Sequence, residues 1–393
     1  MRVVPTSAAL EFVGAATWEA LSAAPARSSV FDDVPDVPHV RLGQQADLVV
    51  VAPATADLLA RAAIGRADDL LTSTLLTARC PVLMAPAMHT EMWEHPATRA
   101  NVATLRSRGV LVTDPASGRL TGADSGPGRL AEPDELLSLC TAVLEHPWIR
   151  RDLEGRSVLV TAGATREALD PVRYLTNHSS GLQGWALARV AALRGADVTL
   201  VTGPTGVTPP AGVTMVDVVD ARDMHGAVMS RAARMDAVVM AAAVADHRPA
   251  EVSATKMKKG EKNAPRSIEL VPNPDILADV SASARAGTVV VGFAAETGDT
   301  ENDVLALGRV KLAAKGCDLL VVNDVSGGRA FGSPDNEAVL LSRDGGETPV
   351  SRRSKEAVAA TIWDEVVSRL PSTVSPPDDL HTDELHTARE GRP

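Results

Sequence analysis

Two α/β domains built around buried parallel strands are what this sequence predicts, and three observations carry that expectation. The chain has 393 residues, long for one domain, so two domains and a tail are the natural division. Hydrophobic residues make up 45% but aromatics only 3%, so the cores must be filled mainly by Val, Leu, Ala and Ile. Short Val-rich runs alternate with Ala/Leu-rich helical stretches, the pattern of strands buried on both faces beneath covering helices.

In the first block, residues 1 to 145, Leu48–Ala52 (LVVVA) reads as a buried strand that turns through PATADLLARAA into a helix. Val82–Ala85 is a second short strand, ending at Pro86. Residues 146 to 156, around WIRRDLEG, break the pattern and are expected to form a linker. The second block, residues 157 to 370, opens with SVLVTAGAT, a strand entering a Gly-containing loop. The helix-like WALARVAALRGA then leads into DVTLVTGP, completing a β-α-β unit with Gly195 at the helix exit. Ala237–Ala241, Thr288–Gly292 and Asp318–Val322 continue the series of strands. From Pro371 to Pro393 periodicity is lost among Pro, Asp, Glu, His and Thr, and a disordered tail is expected.

Composition excludes several classes of function. A net charge of −11, with one Tyr and four Phe, argues against a general nucleic-acid binder. Cys80, Cys140 and Cys317 lie far apart with no metal-ligand spacing, which suits a reduced cytoplasmic interior. No apolar run approaches the length of a membrane span, and the N-terminus carries no signal-peptide pattern. A cytoplasmic protein acting on small molecules, without membrane or nucleic-acid partners, is expected.

Against this acidic background, residues 241 to 262 (AAAVADHRPAEVSATKMKKGEK) stand apart. An apolar run ends at Asp246, and Lys256, Lys258, Lys259 and Lys262 follow. Alone, such a cluster suits a solvated loop as well as a flexible loop closing over phosphates. Its surroundings favour the second. Asn177–Gly184 (NHSSGLQG) precedes a helix and would present backbone N–H groups at the positive end of the helix dipole. Both elements fall at strand C-terminal ends, where open α/β sheets bind ligands. In isolation Asn177 would pass for a turn residue, Lys311 and Lys315 for an exposed helix face, and His39 for a structural histidine.

Six motifs in order turn these features into a resemblance. TAGATREALDPVRYLTNHSSGLQG, AAAVADHRP, TKMKK, NPDIL, VGFAAET and KLAAKGCDLLVVNDV closely resemble the phosphopantothenate–cysteine ligase half of the bacterial bifunctional coenzyme A biosynthesis proteins. The resemblance implies a Rossmann-like α/β ligase domain and CTP-dependent amide formation. The carboxylate of 4′-phosphopantothenate attacks the α-phosphate of CTP, giving an acyl-cytidylate and pyrophosphate, and the amine of cysteine then displaces CMP. By motif position Lys256 is the catalytic loop lysine and Asn177 holds the intermediate. Met240, Ala241, Ala242, Asp246, Asn273, Pro274, Asp275, Ile276, Phe293, Lys311 and Lys315 would contact CTP. Mg²⁺ is implied as a partner of the triphosphate, with no protein ligand assigned. Leu182 stands where the family usually carries a basic residue, so one charge contact is lost there.

The first block resembles the other half of the same family. VPHVRLGQQADLVVVAPATADLLARAAIGRADDLL, PVLMAPAMHTEMW and LTGADSGPGRL are similar to the flavin-dependent phosphopantothenoylcysteine decarboxylase. That likeness implies a flavodoxin-like fold, bound FMN, oxidation of the cysteinyl thiol toward a thioaldehyde, loss of CO₂, and reduction to 4′-phosphopantetheine. His39, expected in a loop before a strand, matches the active-site histidine. Pro53, Ala54, Thr55 and Met88 would pack against the flavin, with Thr6 and Ser7 in a polar loop beside it. Two positions depart from the pattern: His89 replaces an asparagine that grips the substrate carboxylate, and Gly122 replaces a cysteine acid. His89, Asp124 or a water would then supply the final proton.

The chain starts at MRVVPTSAALEFV, matching the family's second strand and following helix, so the first strand is expected to be missing. A late start codon is favoured over truncation, because the remaining motifs of the domain are intact. The resemblance also implies a homo-oligomer, through trimers of flavin domains and dimers of ligase domains. Two alternatives stay open: a ligase whose flavin domain serves only oligomerisation, and a non-catalytic regulatory relative.

Overall fold

A computed structural model describes residues 1–32, 34–120, 124–207, 210–257, 267–297, 303–325 and 332–371. Gly122, Lys258, Lys259, Lys262 and the tail from Ser372 lie outside the described residues.

The segment matched to a strand at the N-terminus forms none. Pro5 cannot donate to a ladder, and Thr6 instead caps the Ser7–Phe12 helix by accepting the Ala9 N–H at 3.1 Å. Three parallel strands follow in sheet order Val49–Ala54, Val82–Pro86 and Leu111–Val112. Val51, Met84 and Val112 meet Leu58, Leu59, Val102 and Leu105 of the helices Ala56–Ile64 and Pro96–Ser107 in a small core. Thr55 ends the first strand and caps the helix after it, accepting the Leu58 N–H at 3.3 Å.

The second unit is an eight-stranded sheet. Its spatial order is Val213–Asp217, Asp197–Thr202, Ser157–Ala162, Ala237–Met240, Val289–Glu296, Leu319–Asp324, Asp335–Ser342 and Glu347–Ser354. The first six are parallel and, numbered by appearance, run 3-2-1-4-5-6. That is the doubly wound, Rossmann-like order, with its direction of winding reversing between Ser157–Ala162 and Ala237–Met240. The last two strands are antiparallel and close the sheet beneath the Lys355–Val367 helix.

The Leu182–Leu193 helix lies against this sheet with Trp185, Ala186, Leu187 and Val190 buried. Gly184 is what lets it approach: a Cβ there would sit 2.6 Å from the Ala162 Cβ and 2.7 Å from the Thr161 carbonyl oxygen. Backbone cannot yield cheaply, so Gly184→Ala is expected to cost about 1–3 kcal/mol, read as a lower denaturation midpoint with an unchanged slope.

The connector between the two units is packed. Ile149 and Leu153 are buried in the same core cluster as Trp185 and Trp363. Arg194, 1% exposed, donates through Nε and Nη2 to the two carboxylate oxygens of Asp152, each at 2.8 Å. Its Nη1 donates to Asp364 at 2.8 Å and to the Ala360 carbonyl at 3.0 Å. From the first unit, the Pro133–Glu145 helix contributes Leu139, Ala142 and Val143 to that cluster. Glu145 accepts from the Ser354 N–H at 3.0 Å and hydroxyl at 2.7 Å.

Candidate functional site

The C-terminal ends of the parallel strands build a cleft of about 510 Å³ at the reversal of winding. Its floor is the turn following Ala237–Met240. There the Ala242 N–H donates to Thr161 Oγ1 and the Ala245 N–H to Thr165 Oγ1, both at 3.0 Å. Ala243 also pairs with Ala164, joining the two strands just past their ends. Asn177 Nδ2 donates to the Val244 carbonyl at 3.0 Å, which fixes the orientation of the side-chain amide. Gly181, at φ 75°, begins the Leu182–Leu193 helix in the left-handed region that glycine tolerates, and its N–H donates to Ser179 Oγ at 3.2 Å.

Asn177, Ala241, Ala242, Asp246, Phe293 and Lys311 all line this one cleft. Other predicted contacts stand behind it. Met240 and Ile276 are buried. Asn273 braces the floor, its side chain donating to the Ala245 carbonyl and its N–H to the Asp246 carbonyl, each at 2.8 Å. Pro274 follows it, half-buried. Asp275 caps the Ile276–Ser283 helix and pairs with Lys315. Burial pushes its carboxyl up, but the Lys315 bond and the Ala278 N–H outweigh that and leave it low. Lys311 and Lys315 therefore divide: Lys311 reaches the cleft, 3.3 Å from Glu296, while Lys315 is held by Asp275.

Lys256 is exposed and lies outside the cleft lining. Its segment is anchored by a residue the motif reading passed over. The Asp170 carboxylate accepts the Met257 N–H at 3.1 Å, the Val172 N–H at 2.8 Å and the Arg173 N–H at 2.9 Å. Arg173 donates to the same carboxylate at 2.6 Å and to the Met257 carbonyl at 2.7 Å. The guanidinium, followed by these N–H groups, holds the Asp170 carboxyl well below the usual range. Asp170 thus ties the stem of the lysine segment to the strand pair that leads into Asn177.

In the first unit, His39 sits in the Pro38–Gln45 helix rather than in a loop, because Pro38 is preset for a first helical turn. Its Nδ1 is buried with no hydrogen-bond partner among the described residues, and its carbonyl accepts from Thr77 Oγ1 at 2.7 Å. Pro53, Ala54 and Thr55 form the end of the Val49–Ala54 strand and the cap beyond it. The Ala87 N–H donates to Ala54 and the Met88 N–H to Gly128, at 3.2 and 3.0 Å. Thr6 is engaged as a helix cap, and Ser7 is exposed beside it. His89 Nδ1 bonds Glu91, and Nε2 lies 3.5 Å from Asp124. Glu91 first, and Asp124 after it, raise the His89 pKa above the usual imidazole range. Glu91 was a partner the sequence left unmarked; its signal is the two-residue spacing in HTE.

Among the described residues no group of three His, Cys, Asp or Glu side chains is placed to hold a metal ion, and no helix is long and apolar enough to cross a membrane.

Residues 1–145 match the Flavoprotein family model, and residues 153–370 match the DNA/pantothenate metabolism flavoprotein C-terminal domain. A coenzyme A biosynthesis bifunctional protein of Mycobacterium tuberculosis (strain H37Rv) is 60% identical over 377 residues, covering 94% of this chain and 90% of the relative. One from Vibrio cholerae is 45% identical over 365 residues, covering 92% and 89%. Among solved structures, a C-terminal domain of such a protein is 36% identical with a TM-score of 0.47, covering 56% of this chain and 97% of that one. The chain belongs to the family of bifunctional coenzyme A biosynthesis proteins.

Proposed function

We propose that residues 157–370 join 4′-phosphopantothenate to cysteine at the expense of CTP, and that residues 1–145 decarboxylate the product with FMN, the packed segment 146–156 connecting them. The carrying observation is the single cleft that gathers Asn177, Ala241, Ala242, Asp246, Phe293 and Lys311, drawn from separate motifs. The substrate enters as the Mg²⁺ complex of CTP, its metal held by the phosphates. The glycine turn and the N-terminus of the Leu182–Leu193 helix supply N–H groups to anionic oxygens. Asn177, fixed through its nitrogen by Val244, presents a neutral oxygen that orients the acyl-cytidylate without attacking it. Lys256 brings positive charge to the phosphates as the carboxylate attacks. Pyrophosphate release that requires CTP and phosphopantothenate, followed by CMP release that also requires cysteine, is the test; pyrophosphate release without phosphopantothenate, CMP release at full rate without cysteine, or no release at all sinks the proposal.

In the first unit the residues suit a flavin: the buried Nδ1 of His39 has no hydrogen-bond partner among the described residues and suits a polar ligand atom, and Ala54 and Thr55 lie at a strand C-terminal end. Bound FMN would supply the two-electron chemistry on the cysteinyl thiol. His39 would hold the substrate or flavin by hydrogen bonding, and His89, whose protonated form Glu91 and Asp124 favour, would grip the carboxylate and return the final proton. Because the carboxylates hold that proton on, decarboxylation is expected to fall as pH rises through the raised pKa. Glu91→Gln should move this alkaline limb to lower pH. A limb unmoved in that variant, or full activity in His89→Ala, removes His89 from the role. The assembly is a homo-oligomer in the cytoplasm, consistent with three scattered cysteines that form no disulfide.

A further inference from the structure

The far wall of the ligase cleft holds a lysine that none of the motifs pointed to. Lys355 begins the Lys355–Val367 helix, lines the cleft, and is only 5% exposed. Among the described residues its Nζ has one partner, the Asp335 carbonyl at 3.0 Å. The carboxylates nearest to it are engaged by arginines: Asp335 lies 3.6 Å from Arg352, and Glu356 lies 2.5 Å from Arg189. A buried ammonium needs compensation, and Glu356 and Asp335, both shared with arginines, supply it only in part. Burial accordingly pushes the Lys355 ammonium below the usual lysine range, a shift that an adjacent anion would reverse.

The surrounding wall is an ordered chain of side-chain amides. Asn323 Nδ2 donates to Asn336 Oδ1 at 2.7 Å, Asn336 Nδ2 to Gln183 Oε1 at 3.0 Å, and Gln183 Nε2 to the Lys355 carbonyl at 3.2 Å. This amide chain spans the cleft wall from the Leu182–Leu193 helix to the Lys355–Val367 helix, so two helix N-termini meet at the same wall. Asn177 and Asp246 also line the cleft, and Asn177 is the residue assigned to the acyl-cytidylate.

Resting on the ligase function proposed above, we infer that Lys355, with Asn336 and Gln183, holds the end of the triphosphate that leaves as pyrophosphate. In the first half-reaction a carboxylate oxygen bonds to the α-phosphorus, and the bond from that phosphorus to the bridging oxygen breaks. The electron pair stays on that oxygen, which becomes part of pyrophosphate. Lys355 provides a fixed cation where this charge accumulates, complementing Lys256 on the lysine segment.

Lys355→Met keeps the length and buried stem of the side chain but removes its charge. By calorimetry it is expected to bind inorganic pyrophosphate about 10- to 100-fold more weakly. CMP, which lacks the departing phosphates, should bind as it does to the wild type, and Lys355→Arg should restore most of the pyrophosphate affinity. A folded Lys355→Met protein with wild-type pyrophosphate affinity overturns the inference. Hydrogen exchange on the unaltered chain gives a second test independent of any variant. Pyrophosphate should slow exchange over residues 335–342 and 355–360 where CMP does not, and equal effects from the two ligands also overturn it. A wild-type chain that releases no pyrophosphate from CTP defeats the ligase proposal itself. Normal release alongside unaltered binding in Lys355→Met defeats only the role of Lys355.

Discussion

Lys256→Gln is expected to slow CTP-dependent pyrophosphate release about 100- to 1000-fold, the range seen when one fixed electrostatic contact to a transition state is removed. Decarboxylation of supplied phosphopantothenoylcysteine by the FMN-loaded chain should be unchanged. The side chain is exposed and makes no hydrogen bond or ion pair with other described residues, so stability should move by no more than about 0.5 kcal/mol. What holds this segment in place lies one residue further on, where Asp170 and Arg173 grip the Met257 backbone. The loss is therefore chemical and not a failure to fold. A Lys256→Gln chain turning over CTP at the wild-type rate would end the assignment of this segment to the phosphates.

The largest expected effect on stability comes from Arg194. Its guanidinium meets both oxygens of Asp152, one oxygen of Asp364 and the Ala360 carbonyl, and is itself 1% exposed. Arg194→Leu would leave Asp152, 16% exposed, without its principal cation. Removing one partner of a buried pair costs about 3–5 kcal/mol. Asp364 is half-exposed and Arg150 lies 3.4 Å from Asp152, so screening reduces the expected cost to about 2–3 kcal/mol. In a thermal melt this should appear as a fall of roughly 5–10 °C. An unshifted melt would mean that the Asp152 connector is not fastened through this arginine.

The parallel strands were legible because burial on both faces demands continuous apolar runs, as in Val289–Glu296 and Leu319–Asp324. The antiparallel pair Asp335–Ser342 and Glu347–Ser354 escaped notice. Glu347–Ser354 buries only Val350 and Ser354, so its hydrophobic signal is sparse. Val37 and Pro38 read as a turn, which predicts a loop at His39, whereas Pro38 opens a helix. Within the cleft, residues carried by local motifs were found. Those whose significance lies in a distant partner were not: Gln183 and Lys355 are 172 positions apart and meet only once the sheet is wound. Asp170 illustrates the same limit, since its carboxylate acts on Met257, 87 positions away.

The shared core described above has a thermodynamic consequence for the pair of activities. Leu83 and Leu111 of the flavin unit belong to one continuous cluster with Leu139, Leu153, Trp185 and Trp363. Opening either unit would expose apolar surface that the other depends on, so the two are linked in their unfolding equilibrium. A cofactor bound to the native first unit at a hundred times its dissociation constant adds about 2.7 kcal/mol against unfolding. Through the common core part of that free energy protects the ligase cleft, more than 100 residues further along the chain. Flavin supply would then govern how long both enzymes survive in the cell, in addition to whether one of them turns over.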